Sequence, residues 1–267
     1  MSSHPTSRTL MLVVAHPDDD AFGIAGSVAL HGDEPAFRFV LVHATDGAAG
    51  QIAPEVNATP ATLGVVRRLE AQRAWKAHGR VPDRHVWLGY DDGAMARADF
   101  GALVSTIRSL LLDERPDVVF TFGPDGITGH PDHIVVGHAT DVAFASVAGD
   151  GGCGLRRLLH AAIKQSAWER VNRARVRAGM SPWDPTLVYH FRGIPDELID
   201  IRVDTRAVVE HVVDGIAEHR SQRLSLFEGP VTRQTWLSIA SREYFVQAWP
   251  PRERGLPLLK DIFEGLE

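Results

Sequence analysis

The chain has 267 residues, of which 44% are hydrophobic and 23% charged, a composition typical of a globular protein. A formal charge of −6 gives no basic surface for nucleic acid, and no apolar run approaches the roughly 20 residues that cross a membrane. Cys153 is the only cysteine, which excludes an intrachain disulfide and favours a cytoplasmic protein. The composition therefore argues against nucleic-acid and membrane partners, and it does not predict an oligomeric state.

Apolar runs alternate with helical patterns through the first 165 residues. The first run, residues 9–15, shows no polar alternation, as expected for a central parallel strand that is buried on both faces. Further strands are predicted at residues 37–43, 84–88, 117–122 and 158–163, and helices at 22–30, 61–78, 100–112 and 130–146. This order predicts a Rossmann-like α/β fold of three α/β/α layers around a mostly parallel sheet.

The pattern is weaker beyond residue 165. The predicted elements there are a basic helix at 168–179, strands at 187–191, 198–203 and 241–249, and a helix at 205–219. We expect a single domain, with a core of about residues 9–165 and a smaller C-terminal strand and helix appendage over about residues 166–267.

Two clusters of histidine and aspartate each follow a predicted strand. The first, residues 16–20, reads His-Pro-Asp-Asp-Asp, and the second, residues 129–133, reads Gly-His-Pro-Asp-His. Loops at the carboxyl ends of parallel strands meet at one edge of the sheet, where ligands bind. An aspartate before a helix is more often just an N-cap, which is our interpretation of Asp20. Two such clusters are better explained by a metal site.

Imidazole and carboxylate ligands without a thiolate are typical of a catalytic Zn²⁺ with three protein ligands and an open position for water. His16 and Asp19 stand three residues apart and can face one point, and His133 is the predicted third ligand. Another divalent metal, such as Fe²⁺, is an alternative. Asp18 is the predicted general base, because one carboxylate must stay free of the metal to take a proton from water.

The second cluster supplies two further candidates for the catalytic site. His130 stands three residues before His133, so that it lies near the metal without necessarily binding it. It could protonate a leaving group or stabilise an oxyanion. Asp132 could hold the His130 ring in its working tautomer.

Both clusters resemble the two signature motifs of the LmbE/PIG-L family of zinc-dependent N-deacetylases. Family members commonly have Glu where Asp20 stands. The chain is also similar to the family at residues 45–47, 67–70, 88–93 and 219–222. The resemblance covers residues 9–145 well and 198–247 loosely, whereas residues 147–197 match no feature of the family.

What the resemblance implies is an enzyme, a metal-dependent N-deacetylase that hydrolyses the acetamide of an N-acetylglucosamine-type amino sugar. The expected partner is thus a small amino-sugar molecule. By position, the family's zinc ligands correspond to His16, Asp19 and His133, its base to Asp18, and its stabiliser of the tetrahedral intermediate to His130.

Three other positions are compared with the family by resemblance alone. Arg67 and Asp92 match positions that contact the sugar in some members, but a surface ion pair and a turn residue are equally good interpretations. In mycothiol-type members a Tyr stands two residues before the first histidine of the second motif. Thr128 stands there in this chain, which argues against that subgroup.

Three alternatives to an N-acetyl hydrolase remain at this point. The same site could cleave a longer N-acyl group or a thiol conjugate, or the protein could bind metal without catalysis. A nucleotide-binding α/β protein is disfavoured, because no phosphate-binding glycine loop follows the first strand. Substrate specificity is expected in residues 48–59 and 147–197, since loops vary freely.

Overall fold

The computed structural model describes residues 8–149, 152–226 and 232–266. Within these ranges seven strands form one sheet, in the order β3-β2-β1-β4-β5-β7-β6. The strands are β1 (Arg8–Val14), β2 (Phe37–Thr45), β3 (Arg84–Tyr90), β4 (Val118–Phe122), β5 (Arg157–Ala161), β6 (Ile201–Asp204) and β7 (Arg242–Trp249). The helices are α1 (Asp19–Gly23), α2 (Ala25–Leu30), α3 (Leu63–Ala77), α4 (Phe100–Glu114), α5 (Gly126–Gly129), α6 (Pro131–Ala145), α7 (Gln165–Arg177), α8 (Val209–Ala217), α9 (Arg223–Leu226) and α10 (Arg233–Ile239).

Strands β1 to β5 are parallel, and β1 lies at the centre between β2 and β4. Every residue of β1 after Arg8 is buried, which explains why the sequence of this strand does not alternate. Helices α4 and α6 pack against each other on one face of the sheet, and α2 and α3 both contact α8 on the other. The predicted three-layer α/β fold with a mostly parallel sheet is confirmed.

The C-terminal part contributes to the same sheet. Strand β7 pairs antiparallel with β5, and β6 pairs antiparallel with β7. The predicted strand at residues 187–191 is wrong, since these residues form turns. Tyr189 has a left-handed backbone with φ of 67°, which is incompatible with an extended strand. The predicted helix at 22–30 is divided into α1 and α2 at Ile24, whose φ of −154° is not helical.

The strand order reverses between β1 and β4. From β1 the chain builds outward through β2 and β3, and it then returns to place β4 on the other side of β1. The loops after β1 and β4 therefore diverge and leave a crevice at the carboxyl edge, the usual ligand site of open α/β sheets. Both histidine and aspartate clusters lie in these two loops.

Among the residues that the structure describes, no helix is both long and apolar enough to span a membrane.

Candidate metal centre

Three side chains from the two clusters lie together at the carboxyl edge of the sheet, where the strand order reverses between β1 and β4. His16 stands two residues after the end of β1, and His133 lies in the first turn of α6. Their side chains are buried, with exposed fractions of 6% and 8%. His16 Nδ1 is 3.2 Å from His133 Nε2 and 3.2 Å from Asp19 Oδ2, and His133 Nε2 is 3.1 Å from Asp19 Oδ1. Tetrahedral zinc with bonds of 2.0–2.1 Å separates its ligand atoms by about 3.3 Å. The two rings meet different oxygens of the Asp19 carboxylate, so the structure brings the three groups together, and their joint binding of one ion stays a prediction.

The other nitrogen of each ring has its own acceptor. His133 Nδ1 lies 3.0 Å from the carbonyl oxygen of Gly126, and His16 Nε2 lies 2.9 Å from Asp92 Oδ1. A metal-bound ring carries its hydrogen on such an outer nitrogen, so these acceptors would direct His16 Nδ1 and His133 Nε2 toward an ion beside Asp19. Such outer acceptors are what orient metal-binding histidines in proteins.

The electrostatics of the cluster favour a positive charge between His16, Asp19 and His133. Burial lowers the pKa of His16, but the Asp19 charge and bonds to Asp132, Asp19 and Asp92 outweigh it and raise that pKa well above its ordinary value. Burial raises the pKa of Asp19, yet the charges of His133 and His16 hold it well below its usual range. Asp19 is thus an ionised carboxylate, the form that binds a metal cation.

Asp18 stands between the predicted ligands in a strained conformation. Its φ of 113° lies far outside the region that non-glycine residues normally occupy. Strain of this kind persists at functional sites when neighbouring contacts hold it in place. Asp18 Oδ2 is 3.2 Å from Arg67 Nη2. Burial raises the pKa of Asp18 to about 7, although Arg67 opposes the shift.

Arg67 is a buried support for the first cluster. Besides Asp18, its guanidinium donates to the carbonyl oxygens of Gly47 at 2.9 Å and Pro17 at 2.5 Å. Gly47 has a φ of 69°, and a Cβ there would lie 2.2 Å from Arg67 Nη1, so that only glycine fits. The alternative of a surface ion pair is wrong, because Arg67 is buried. Its contact with a sugar stays a prediction.

His130 provides a neutral hydrogen-bond donor beside the cluster. Its Nδ1 accepts the backbone N–H of Asp132 at 3.1 Å, which leaves the ring hydrogen on Nε2. Burial, followed by the charges of His16 and His133, lowers its pKa to about 4. Its ring stacks on His133 with centroids 4.7 Å apart. The predicted role of Asp132 changes in detail, since its backbone and not its carboxylate contacts the His130 ring.

The Asp132 carboxylate instead ties the loop after β3 to the cluster. It accepts the backbone N–H groups of Gly93 at 2.7 Å and Met95 at 3.2 Å, and its Oδ2 is 3.4 Å from His16 Nε2. Asp92 lies in the same loop. Its two oxygens face His16 and the Ala49 N–H, the latter at 2.8 Å. Both carboxylates thus orient His16, and a contact between Asp92 and sugar stays a prediction.

The sequence predicts only an N-cap at Asp20, and the structure shows a further role for this residue. Asp20 is buried; it accepts Trp75 Nε1–H at 2.5 Å and the Asp18 N–H at 3.2 Å, and lies 3.3 Å from His43 Nε2. Burial raises its pKa, but His43 outweighs burial and holds the pKa below its usual range. Asp20 therefore holds the backbone of Asp18 in its strained conformation. The signal available in the sequence was His43, a histidine inside the apolar run of β2, which is the partner of Asp20.

Two sets of donor atoms, with one atom from each residue, lie close enough to hold a metal ion; both include His16, and neither includes Asp19. Ring nitrogens of His16, His130 and His133 lie within 4.8 Å of one another, as do donor atoms of His16, Asp92 and Asp132. The second combination uses the opposite nitrogen of His16 from the one that faces Asp19. Which nitrogen binds an ion is therefore a measurable property of the site.

The fold and the buried cluster define a Rossmann-like α/β protein with a metal-binding group at the switch point of its sheet. The chain belongs to the PIG-L family, described as GlcNAc-PI de-N-acetylase, whose model matches residues 11–144. It is 31% identical to the 1D-myo-inositol 2-acetamido-2-deoxy-alpha-D-glucopyranoside deacetylase of Saccharomonospora viridis, over 96% of this chain and 100% of that protein.

Solved structures with this fold include proteins of different activity. N,N'-diacetylchitobiose deacetylase from Pyrococcus horikoshii has a TM-score of 0.57 and 18% identity, over 90% of this chain and 83% of that chain. 4-Carboxy-2-hydroxymuconate hydratase from Pseudomonas putida has a TM-score of 0.63 and 16% identity, over 94% of this chain and 100% of that chain. The fold alone thus does not decide between an amide hydrolase and a hydratase.

Proposed function

We propose that this protein is a zinc-dependent hydrolase that removes the N-acetyl group from an N-acetylglucosamine-type amino sugar or its conjugate. The observation that carries the proposal is the contact of His16 Nδ1 with His133 Nε2 at 3.2 Å, with each nitrogen 3.1 to 3.2 Å from one oxygen of the Asp19 carboxylate. The Asp18 carboxylate and the His130 ring lie beside this group. The Saccharomonospora viridis relative, a deacetylase of an acetamido sugar, supports the choice of substrate class.

Zinc suits this donor set because two imidazoles and one carboxylate leave a fourth position open. When bound, zinc supplies a Lewis acid that polarises the acyl carbonyl and makes water more acidic. The ion would be held by His16 Nδ1, His133 Nε2 and the Asp19 carboxylate. Asp92 and the Gly126 carbonyl would hold the two rings in place from their outer nitrogens.

The proton transfers fall to Asp18. As general base it takes a proton from the attacking water, whose oxygen adds to the acyl carbon. The oxyanion that forms accepts the Nε2–H of His130, which is neutral and already oriented by the Asp132 amide. Asp18 then returns its proton to the amine as the C–N bond breaks, and acetate and the free amino sugar leave. Arg67 holds the Asp18 carboxylate in position throughout.

The sugar would lie in a polar cleft of about 390 Å³ beside the cluster, a size typical of small-ligand sites. Asp92 belongs both to this cleft and to the surroundings of His16. The remaining polar lining consists of Asp46, Arg68, Tyr90 and Asp91. Carboxylates and a guanidinium in one cleft match the hydroxyl groups of a sugar and of a polyol aglycone.

The experiment is an acetate-release assay on zinc-loaded protein, with N-acetylglucosaminides that differ in their aglycone. We expect acetate and the free amine in equal amounts from at least one of them, and no more than background from Asp18→Ala. A hydratase releases no acetate, so the assay separates the two activities that occur on this fold. Zinc-loaded wild-type protein that releases acid from no N-acyl sugar would refute the proposal.

A further inference from the structure

The segment between β5 and β6 reaches the catalytic cluster at Tyr189. The Tyr189 ring lies edge-on to His130, with centroids 5.1 Å apart and planes at 79°. The Tyr189 N–H donates to the Thr128 carbonyl at 2.8 Å, and the Arg192 N–H donates to the Ile127 carbonyl at 2.8 Å. The segment is therefore fastened to the same loop that presents His130.

The tip of this segment has an unusual conformation and an unusual surface. Tyr189 is 69% exposed at a φ of 67°, and Ile127 opposite it has a φ of 65°. Leu187 and Val188 are exposed as well, at 50% and 44%. Strained backbone and three consecutive exposed apolar side chains both cost stability, and such costs are typical of binding surfaces. We call residues 187–189 the apolar strip.

The base of the segment is well ordered by its own contacts. Asn172 on α7 bonds the backbone of Trp183 in both directions, at 2.8 and 3.1 Å. Trp168 Nε1–H donates to the Phe191 carbonyl at 2.6 Å, and the rings of Trp183 and Phe191 are 4.9 Å apart. The apolar strip is thus held in place before any ligand arrives, which reduces the entropy lost on binding.

The chemistry of the substrate assigns an occupant to the strip. The acyl carbon carries three groups: an oxygen directed to His130, a nitrogen that leads to the sugar, and the acyl chain. The polar cleft at Asp46, Arg68 and Asp91 takes the hydroxyl-rich sugar. The chain is apolar, and Tyr189, which contacts the His130 ring, ends the exposed apolar strip.

We propose that the apolar strip binds the acyl chain of the substrate, so that the protein accepts N-acyl amino sugars with chains longer than acetyl. This inference rests on the proposed amide hydrolysis. Water adds to the acyl carbon, the C–N bond breaks, and a carboxylate of any chain length leaves together with the amine. Each further methylene of the chain gains apolar contact with the strip.

The test compares kcat/KM for N-hexanoyl- and N-acetylglucosamine in zinc-loaded protein. We expect the hexanoyl-to-acetyl ratio to fall about tenfold in Leu187→Ser/Val188→Ser and in Tyr189→Ala. Tyr189→Phe keeps the ring and should keep the wild-type ratio. Leu256→Ser is the matched control, because Leu256 is also half exposed but follows the last strand. An unchanged ratio in the double variant and in Tyr189→Ala would overturn the proposal.

A second readout separates this inference from the proposed function. Saturation-transfer NMR with N-hexanoylglucosamine reports contact between the protein and the chain methyl group, without turnover. If the wild type cleaves no N-acyl sugar, the proposed amide hydrolysis is wrong. Binding of the acyl chain to the apolar strip is then tested by the NMR experiment alone. Methyl saturation that is lost in Leu187→Ser/Val188→Ser supports acyl binding, whereas equal or absent saturation in both proteins overturns it.

Discussion

The catalytic cluster and the segment over residues 165–194 meet at His130, and they are built in opposite ways. The cluster grows from two buried neighbouring strands, and its ligands His16 and His133 are themselves buried. The segment has a helix, α7, without a buried residue, and it contacts the cluster through a few backbone bonds and the Tyr189 ring. The comparison suggests that the sheet fixes the reaction, while the segment outside it selects the substrate.

The largest effect should follow from removing a metal ligand. His133→Ala takes away one of three donor atoms, so we expect loss of the ion and a decrease in kcat/KM of at least about 10³-fold. Metal analysis of the purified protein together with acetate release checks this. A variant that keeps one ion per chain and most of its activity would break the distinction between the two regions, because the cluster would then not fix the reaction.

Replacing the base should separate metal binding from catalysis. Asp18→Ala leaves His16, Asp19 and His133 in place, so we expect one ion per chain and turnover lowered about 10² to 10⁴-fold. Metal content and kcat are measured on the same preparation. A metal-replete Asp18→Ala protein with full activity would refute the assignment of the base.

Asp20 offers a finer test, since its carboxylate contacts Trp75, His43 and the Asp18 N–H and supports the base indirectly. Asp20→Asn keeps the shape but removes the charge that faces His43, so Asp18 is held less firmly. We expect kcat about tenfold lower with unchanged KM and metal content, and about 1–3 kcal/mol less free energy of unfolding. Asp20→Glu restores the charge and should recover part of kcat. Wild-type kcat in Asp20→Asn, together with lost stability, would mean that the residue is structural only.

The smallest effect concerns His31, which lies in neither region and bonds Glu34 at 2.8 Å and Asp261 at 2.9 Å. Burial lowers the pKa of His31, but Asp261 and Glu34 outweigh it and raise that pKa above its ordinary 6.5. A raised folded-state pKa gives stability that is full below pH 6.5 and is lost as pH rises through the folded value.

For His31→Gln we therefore expect about 1 kcal/mol less free energy of unfolding at pH 6, and a smaller loss at pH 9. Urea unfolding at the two pH values measures the difference. Acetate release by the two proteins should stay equal, which serves as the control. A loss of stability that is larger at pH 9 would contradict the sign of the shift.

The sequence predicted the fold and the position of the cluster because both follow from strand register. An unbroken apolar run gives a central strand, and His16 and His133 follow neighbouring strands whose ends must meet. The sequence could not predict contacts that depend on distant partners. Asp20 contacts Trp75 on α3. Asp92 contacts His16 because β3 ends at the same edge of the sheet as β1.

The strand predicted at residues 187–191 is wrong because a contact with a distant part of the chain overrides the local pattern. Leu187, Val188 and Tyr189 form an apolar run that is typical of a strand, but the left-handed backbone at Tyr189 turns the chain onto the His130 loop instead. Strand propensity describes the average behaviour of a residue type, whereas the backbone conformation of Tyr189 is set by its bond to Thr128.

The central claim is that one ion is held by the inner nitrogens of His16 and His133 together with Asp19. Anomalous diffraction at the zinc edge, on crystals of the zinc-loaded protein, tests it most directly. We expect one peak about 2.0–2.2 Å from His16 Nδ1, His133 Nε2 and an Asp19 oxygen. A peak bound instead to His16 Nε2 and the Asp92 and Asp132 carboxylates, or no peak at the cluster, would contradict it.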